Sequence, residues 1–245
     1  MNKWRYLFIG LLFVVFSAVA QDSILNFTYK TYSMRDFSGW PVMIEKLQKE
    51  ALSHTGTKEQ QLQLMVDYYG YVGHLLDVNK KNEAAVWAKK GSEALKQVKK
   101  NYPKDATVIA LESMFIAYQI ALNPMKAPFQ AGGMMSTAKE ALKMDPNLYL
   151  ANIANANILF YFPSALGGDK HKAIEYYKKA YNYFVQHPQI AKNSWVYLNV
   201  MSTLGVANEA VGNKAEALRW CNQALKICPD FVYVKTILLP RMEKN

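Results

Sequence analysis

LGVANEAVGNKAEALRWCNQALKICP, residues 204–229, holds two helical patterns that meet at a glycine. From Ala217 onward the small and apolar residues fall at Ala217, Trp220, Cys221, Ala224, Leu225 and Cys228. Steps of three and four put them on one face of an α-helix. Alanines on that face let a neighbouring backbone come close, and the ring of Pro229 blocks continuation of the helix. Upstream, Leu198, Met201, Leu204, Gly205 and Asn208 form a second stripe. Gly212-Asn213 between them suits a tight turn, because glycine adopts positive φ without strain. The unit is an antiparallel helix pair. One such pair cannot bury both its faces, so it needs stacked neighbours.

Leu204, Gly205, Gly212, Ala217, Ala224, Leu225 and Pro229 resemble the tetratricopeptide repeat at that family's spacing. Met201 stands where the family prefers tryptophan, and Asn208 where it prefers tyrosine. The resemblance implies an all-α chain, a right-handed α-solenoid of stacked helix pairs. Partial copies are present upstream. Gly168 to Ala180 repeats the second half of the unit, Ala138 to Pro146 repeats its ending, and Ala84 to Pro103 carries a weaker stripe. The alanine before the last turn recurs at 141, 180 and 224, gaps of 39 and 44 residues. The family period is about 34. The reading is therefore about four degenerate repeats lengthened by insertions, at Asn123–Pro128, Phe162–Gly167 and around His187–Ile190. Pro163, then Gly167-Gly168-Asp169 and Lys172-Ala173, is similar to an insertion in exported bacterial repeat proteins that include the T component of TRAP-type transporters.

Residues 1–20 read as a secretory signal peptide: Lys3 and Arg5, an apolar stretch from Leu7 to Phe16, then Ala18-Val19-Ala20 as cleavage site. The expectation is an exported, periplasmic chain beginning at Gln21, with no cysteine there to take a lipid. Residues 21–37 mix aromatic and polar side chains and are expected to be extended. Residues 38–245 form one domain of ten helices, near 38–53, 57–77, 80–100, 105–122, 128–144, 147–161, 169–186, 194–211, 214–227 and 230–243. The last caps the stack, and Ser38 suits the start of the first. Gly132-Gly133 sits inside a helical pattern, where it is expected to permit close helix contact.

The chain carries a formal charge of +10, which falls to +8 once Lys3 and Arg5 leave with the signal. Export and the lack of an aromatic-arginine stacking platform argue against nucleic acid. The lysine-rich helix 80–104 is a solvated face or a contact for an anionic surface. Cys221 and Cys228, seven residues apart on one helix, are about 10 Å from each other, too far for an unstrained disulfide. Both are expected as buried thiols. His54, His74, His171 and His187 lack metal-ligand spacing, and no nucleophile elbow or phosphate loop is present. The reading is a protein with no cofactor or metal that is not an enzyme.

Three functions remain. The first is a scaffold for a protein or peptide partner. The resemblance implies a concave groove lined by the first helix of each pair, here Asn199, Ser202, Val206 and Glu209, with Asn155 and Ile158 one repeat earlier. Asparagine amides can bond both N–H and C=O of an extended peptide. The second is a small-ligand carrier or transporter accessory, as the T-component resemblance implies, with Tyr161, Phe162 and Leu166 lining an apolar pocket. The third is a structural assembly subunit that uses an exposed end or face. An open polar groove favours the first, a closed apolar cavity the second, an exposed apolar patch the third.

Overall fold

A computed structural model describes residues 22–244 and shows helices and turns with no strand among them. The signal-peptide reading of residues 1–20 lies outside the described residues. The helices are α1 (22–33), α2 (Trp40–Ala51), α3 (Lys58–Asp77), α4 (Lys81–Asn101), α5 (Ala106–Leu122), α6 (Ala127–Met144), α7 (Tyr149–Tyr161), α8 (Lys170–Gln186), α9 (Pro188–Ala191), α10 (Trp195–Glu209), α11 (Lys214–Ile227) and α12 (Leu239–Lys244). A π-turn at Val234–Leu238 leads into α12. The expected helices are present to within a few residues, except that the last is split by this turn.

Residues 22–33 correct the reading of 21–37 as extended. The segment is a helix because its apolar members, Ile24, Phe27 and Tyr32 among them, pack against the core and pull the backbone into register with it. The α3/α4, α5/α6, α7/α8 and α10/α11 pairs form the stack, and α1 leads into α2 ahead of them. Ser38 does not cap α2. Its hydroxyl donates to Asp36 Oδ1 at 2.7 Å, and Gly39 precedes the helix instead. Side-chain caps are present at Thr57, which forms a reciprocal box with Gln60, and at Asp105, Asp169, Ser194 and Asn213.

The two helices of each pair differ in kind. The first helices α5, α7 and α10 are apolar around most of their circumference: in α10, eleven of fifteen residues are buried. The second helices bury one stripe only, in α11 Ala217, Trp220, Cys221 and Ala224. That stripe meets α10 closely. A Cβ on Gly205 would lie 3.1 Å from Cys221 Sγ. Gly212 closes the turn at φ +77°. Cys221 and Cys228 are both buried, and Met242 of α12 rests on Cys221 with sulfurs 3.7 Å apart, so α12 caps the stack. The Gly132-Gly133 expectation is corrected: a Cβ at either position would meet nothing within 4 Å.

The stack closes on itself. Trp195, at the start of α10, is 3% exposed and donates its indole N–H to Asp67 Oδ1 of α3 at 3.2 Å. Its ring lies where a Cβ on Gly70 would stand, 2.6 Å away, and packs edge-on against Trp40 at 5.8 Å. Tyr32 of α1 tilts against the same indole at 5.2 Å. Asn193 donates its amide to Asn26 in the same seam. Repeats far apart in sequence therefore bury aromatic surface together, about 150–250 Å² for each large ring.

Candidate functional site: a tyrosine basin on the inner face

The residues expected to line an open groove are largely consumed by this closure. Asn199 donates its amide to the Tyr32 hydroxyl at 2.9 Å. Ser202 is 2% exposed and donates to the carbonyl of Asn199 at 2.9 Å. Glu209 is ion-paired with Arg241 of α12, and Val206 is half-buried. Asn155 and Ile158 are buried, and the Asn155 amide donates to the carbonyls of Ala138 at 2.8 Å and Ala151 at 2.9 Å. The chain itself takes up these polar groups: α1 lies against Asn199, α12 against Glu209 and α6 against Asn155, while Ser202 bonds within α10.

The second set does not enclose a pocket. Tyr161 is 72% exposed, Leu166 is 64% exposed and Phe162 is half-buried. Tyr161 belongs to a different arrangement. It ends α7, and although open to solvent its phenol is raised by burial, with a further contribution from the Asp77 carboxylate. It stands one helical turn beyond Asn157, on the same face of α7.

Around it converge groups from the inner helices. Tyr69 of α3 and Tyr118 of α5 stack with centroids 5.0 Å apart, and Tyr118 donates to the Tyr69 carbonyl at 3.0 Å. Asn157 of α7 donates its amide to the Tyr69 hydroxyl at 3.0 Å and accepts from the Tyr177 hydroxyl of α8 at 2.7 Å. Tyr233 lies on the far side, with the Arg35 guanidinium 5.3 Å from its ring centroid. Arg35 in turn pairs with Asp77 at 2.7 Å. Tyr69, Tyr118, Asn157 and Tyr233 are half-buried.

Burial pushes the Tyr69 phenol up to about 12 and those of Tyr118 and Tyr177 well above their ordinary value. The basin therefore offers neutral hydroxyls and aromatic faces rather than phenolate nucleophiles. Burial also pushes the Cys221 thiol up to about 11, away from the reactive thiolate. Among the described residues no three His, Cys, Asp or Glu side chains gather as a metal site, and no helix is long and apolar enough to cross a membrane. What this arrangement can do is hold: rings to stack on and amides to bond with.

Of the basin residues, the sequence reading includes Tyr161 alone, and there as the lining of an apolar pocket. Tyr69, Tyr118, Tyr177, Tyr233 and Asn157 carry no local signal. Asn155 lies near Asn157 in the chain, but two residues are about 200° round the helix, nearly the opposite face. The 16 tyrosines of the chain are a hint, but composition does not say which of them meet.

No family model and no curated protein matches the sequence. Among solved structures, a thermophilic TPR protein of Thermus thermophilus is similar over 91% of this chain and 97% of its own, with a TM-score of 0.53 and 16% identity. The fold is a tetratricopeptide-repeat solenoid.

Proposed function

We propose that this chain is an exported TPR-type interaction scaffold that holds a segment of a protein or peptide partner over the tyrosine basin. The observation that carries the reading is Tyr161, 72% exposed one helical turn beyond Asn157, which ties together the hydroxyls of Tyr69 and Tyr177. An exposed aromatic beside groups that are already fixed has the character of an interface anchor. Asn157 fixes the tyrosine hydroxyls and so limits the entropy lost on binding. The expected cleavage after Ala20 supports the exported assignment, and N-terminal sequencing of the chain from the cell envelope should start at Gln21.

The test is site-specific photocrosslinking in the native host. A benzophenone amino acid replaces Tyr161, or as control Lys100, which is exposed on the outer face of α4. A discrete adduct at 161 and none at 100 is expected. Adducts at 100 with none at 161 would overturn the basin as the binding site.

A further inference from the structure

We propose that the edge of the solenoid carrying the turn within each helix pair docks on an anionic lipid membrane, with Met125, Phe129 and Leu166 entering the bilayer surface. The antiparallel pairs bring the turns α3–α4, α5–α6, α7–α8 and α10–α11 to one edge, and the Arg35–Asp77 and Arg241–Glu209 pairs bring the α1–α2 turn and α12 there too.

Two observations meet on this edge. The first is apolar. Phe129 is 87% exposed and Met125 83%, the two most exposed large apolar side chains among the described residues, and Leu166 is 64% exposed. They stand on two insertions of neighbouring pairs, stiffened by Pro124, Pro128 and Pro163 and by short 3₁₀ turns at Pro124–Lys126 and Ser164–Leu166. Packed helices lie about 8–10 Å apart, so the two tips fall within reach of one surface. One turn beyond Phe129, Gly132 and Gly133 leave the helix face bare, so nothing shields the ring.

The second is charge. Lys81, Lys170 and Lys214 are the first residues of α4, α8 and α11, and Lys126 immediately precedes α6. A cation at a helix N-terminus opposes the helix dipole. Repeating that placement in four helices is unfavourable for the fold alone. All four are exposed, and among the described residues none is in an ion pair. The carboxylates on the edge are already matched: Asp77 with Arg35, Glu83 with Lys80, Asp169 with Lys172, Glu209 with Arg241 and Glu216 with Arg219. Asp36, bonded only to Ser38, Glu175, which lies beside the α10–α11 turn, and Glu243 of α12 are the exceptions among the described residues. No acidic residue occurs in 113–139 or 146–168, the stretches that carry the apolar tips. Apolar tips ringed by uncompensated lysines match a bilayer interface bearing anionic headgroups. The lysine-rich α4 fits this role less well along its length, because Lys90 pairs with Glu45 and Lys99 with Glu112.

The basin opens toward the same edge, but the two surfaces use different residues, so crosslinking at 161 and membrane docking can fail independently. The experiment is co-sedimentation of the chain from Gln21, which contains every described residue, with vesicles of phosphatidylcholine alone or with added phosphatidylglycerol. The parent chain should sediment with the anionic vesicles, lose binding as salt rises, and stay in solution with phosphatidylcholine alone. Replacing Met125, Phe129 and Leu166 together by Ser should cut partitioning at least about tenfold, since each buried side chain is worth more than the 1.4 kcal/mol of one decade. Lys126→Glu with Lys170→Glu should do the same, and circular dichroism melts should confirm both variants folded. Failure of the parent to bind anionic vesicles overturns the proposal. So does binding that both variants retain, or a self-association lost with the Ser triple in the absence of lipid.

Discussion

The α10–α11 and α5–α6 hairpins share one architecture and use it in opposite ways. In α10–α11 the turn is tight, Gly212 takes positive φ, and Gly205 lets Cys221 come against the first helix. Trp195 opens that hairpin and is buried against α3. In α5–α6 the turn is a 3₁₀ segment, and the aromatic near it, Phe129, is open to water. Gly132 and Gly133 face empty space. One hairpin closes the solenoid, the other presents a surface. A glycine in a helix therefore signifies close approach only where a neighbour is there to approach.

The sharpest way to break the contrast is to truncate the two aromatics. Trp195→Ala removes the indole that joins α10 to α2 and α3, and should cost about 3–5 kcal/mol in urea unfolding. Phe129→Ala should stay within about 0.5 kcal/mol of the parent. Equal losses would mean that the hairpins are packed alike.

The partner of Trp195 gives a pH signature. Asp67 is fully buried, Gln63 and Trp195 donate to its Oδ1, and its Oδ2 has no hydrogen-bond partner. Burial pushes its carboxyl up to about 7. In the unfolded chain it ionises near 4, so the folded chain holds the extra proton between those values. Its contribution to stability is complete below pH ~4 and is lost as pH rises through ~7. Asp67→Asn cannot ionise. Its stability relative to the parent should improve by up to a few kcal/mol from pH ~4 to pH ~8. A parallel pH dependence of parent and variant would show that Asp67 is not held neutral in the seam.

The smallest effects have opposite signs. Gly205→Val crowds Cys221 and should destabilise by about 1–3 kcal/mol. Gly132→Ala meets nothing and should stabilise by about 0.5–1 kcal/mol through reduced backbone freedom. Thermal melts of both variants test the two glycines against each other.

Much of the fold was legible. The spacing from Leu204 to Pro229 specified a helix hairpin, and the buried Leu204, Ala217 and Ala224 sit where that spacing put them. Boundaries were readable because proline, glycine and capping residues act within one turn of where they stand. The site was read less well. The resemblance to a grooved repeat pointed to Asn199 and Ser202, and both are bonded internally, Asn199 to Tyr32 of α1 and Ser202 within α10. The helix at 22–33 was missed because its reason to be helical lies some 170 residues away, at Asn193, Trp195 and Asn199.

The sequence by itself determined the helices from α2 to α8, α10 and α11, their pairing and their stacking, since these follow from periodicity and from contacts between neighbours in the chain. Only the tertiary structure decided how far the stack curves. Small rotations from pair to pair add along the solenoid until α3 meets Trp195, and no local pattern records that sum. That closure determines which polar residues are buried, which tyrosines meet around Tyr161, and which apolar tips remain facing water.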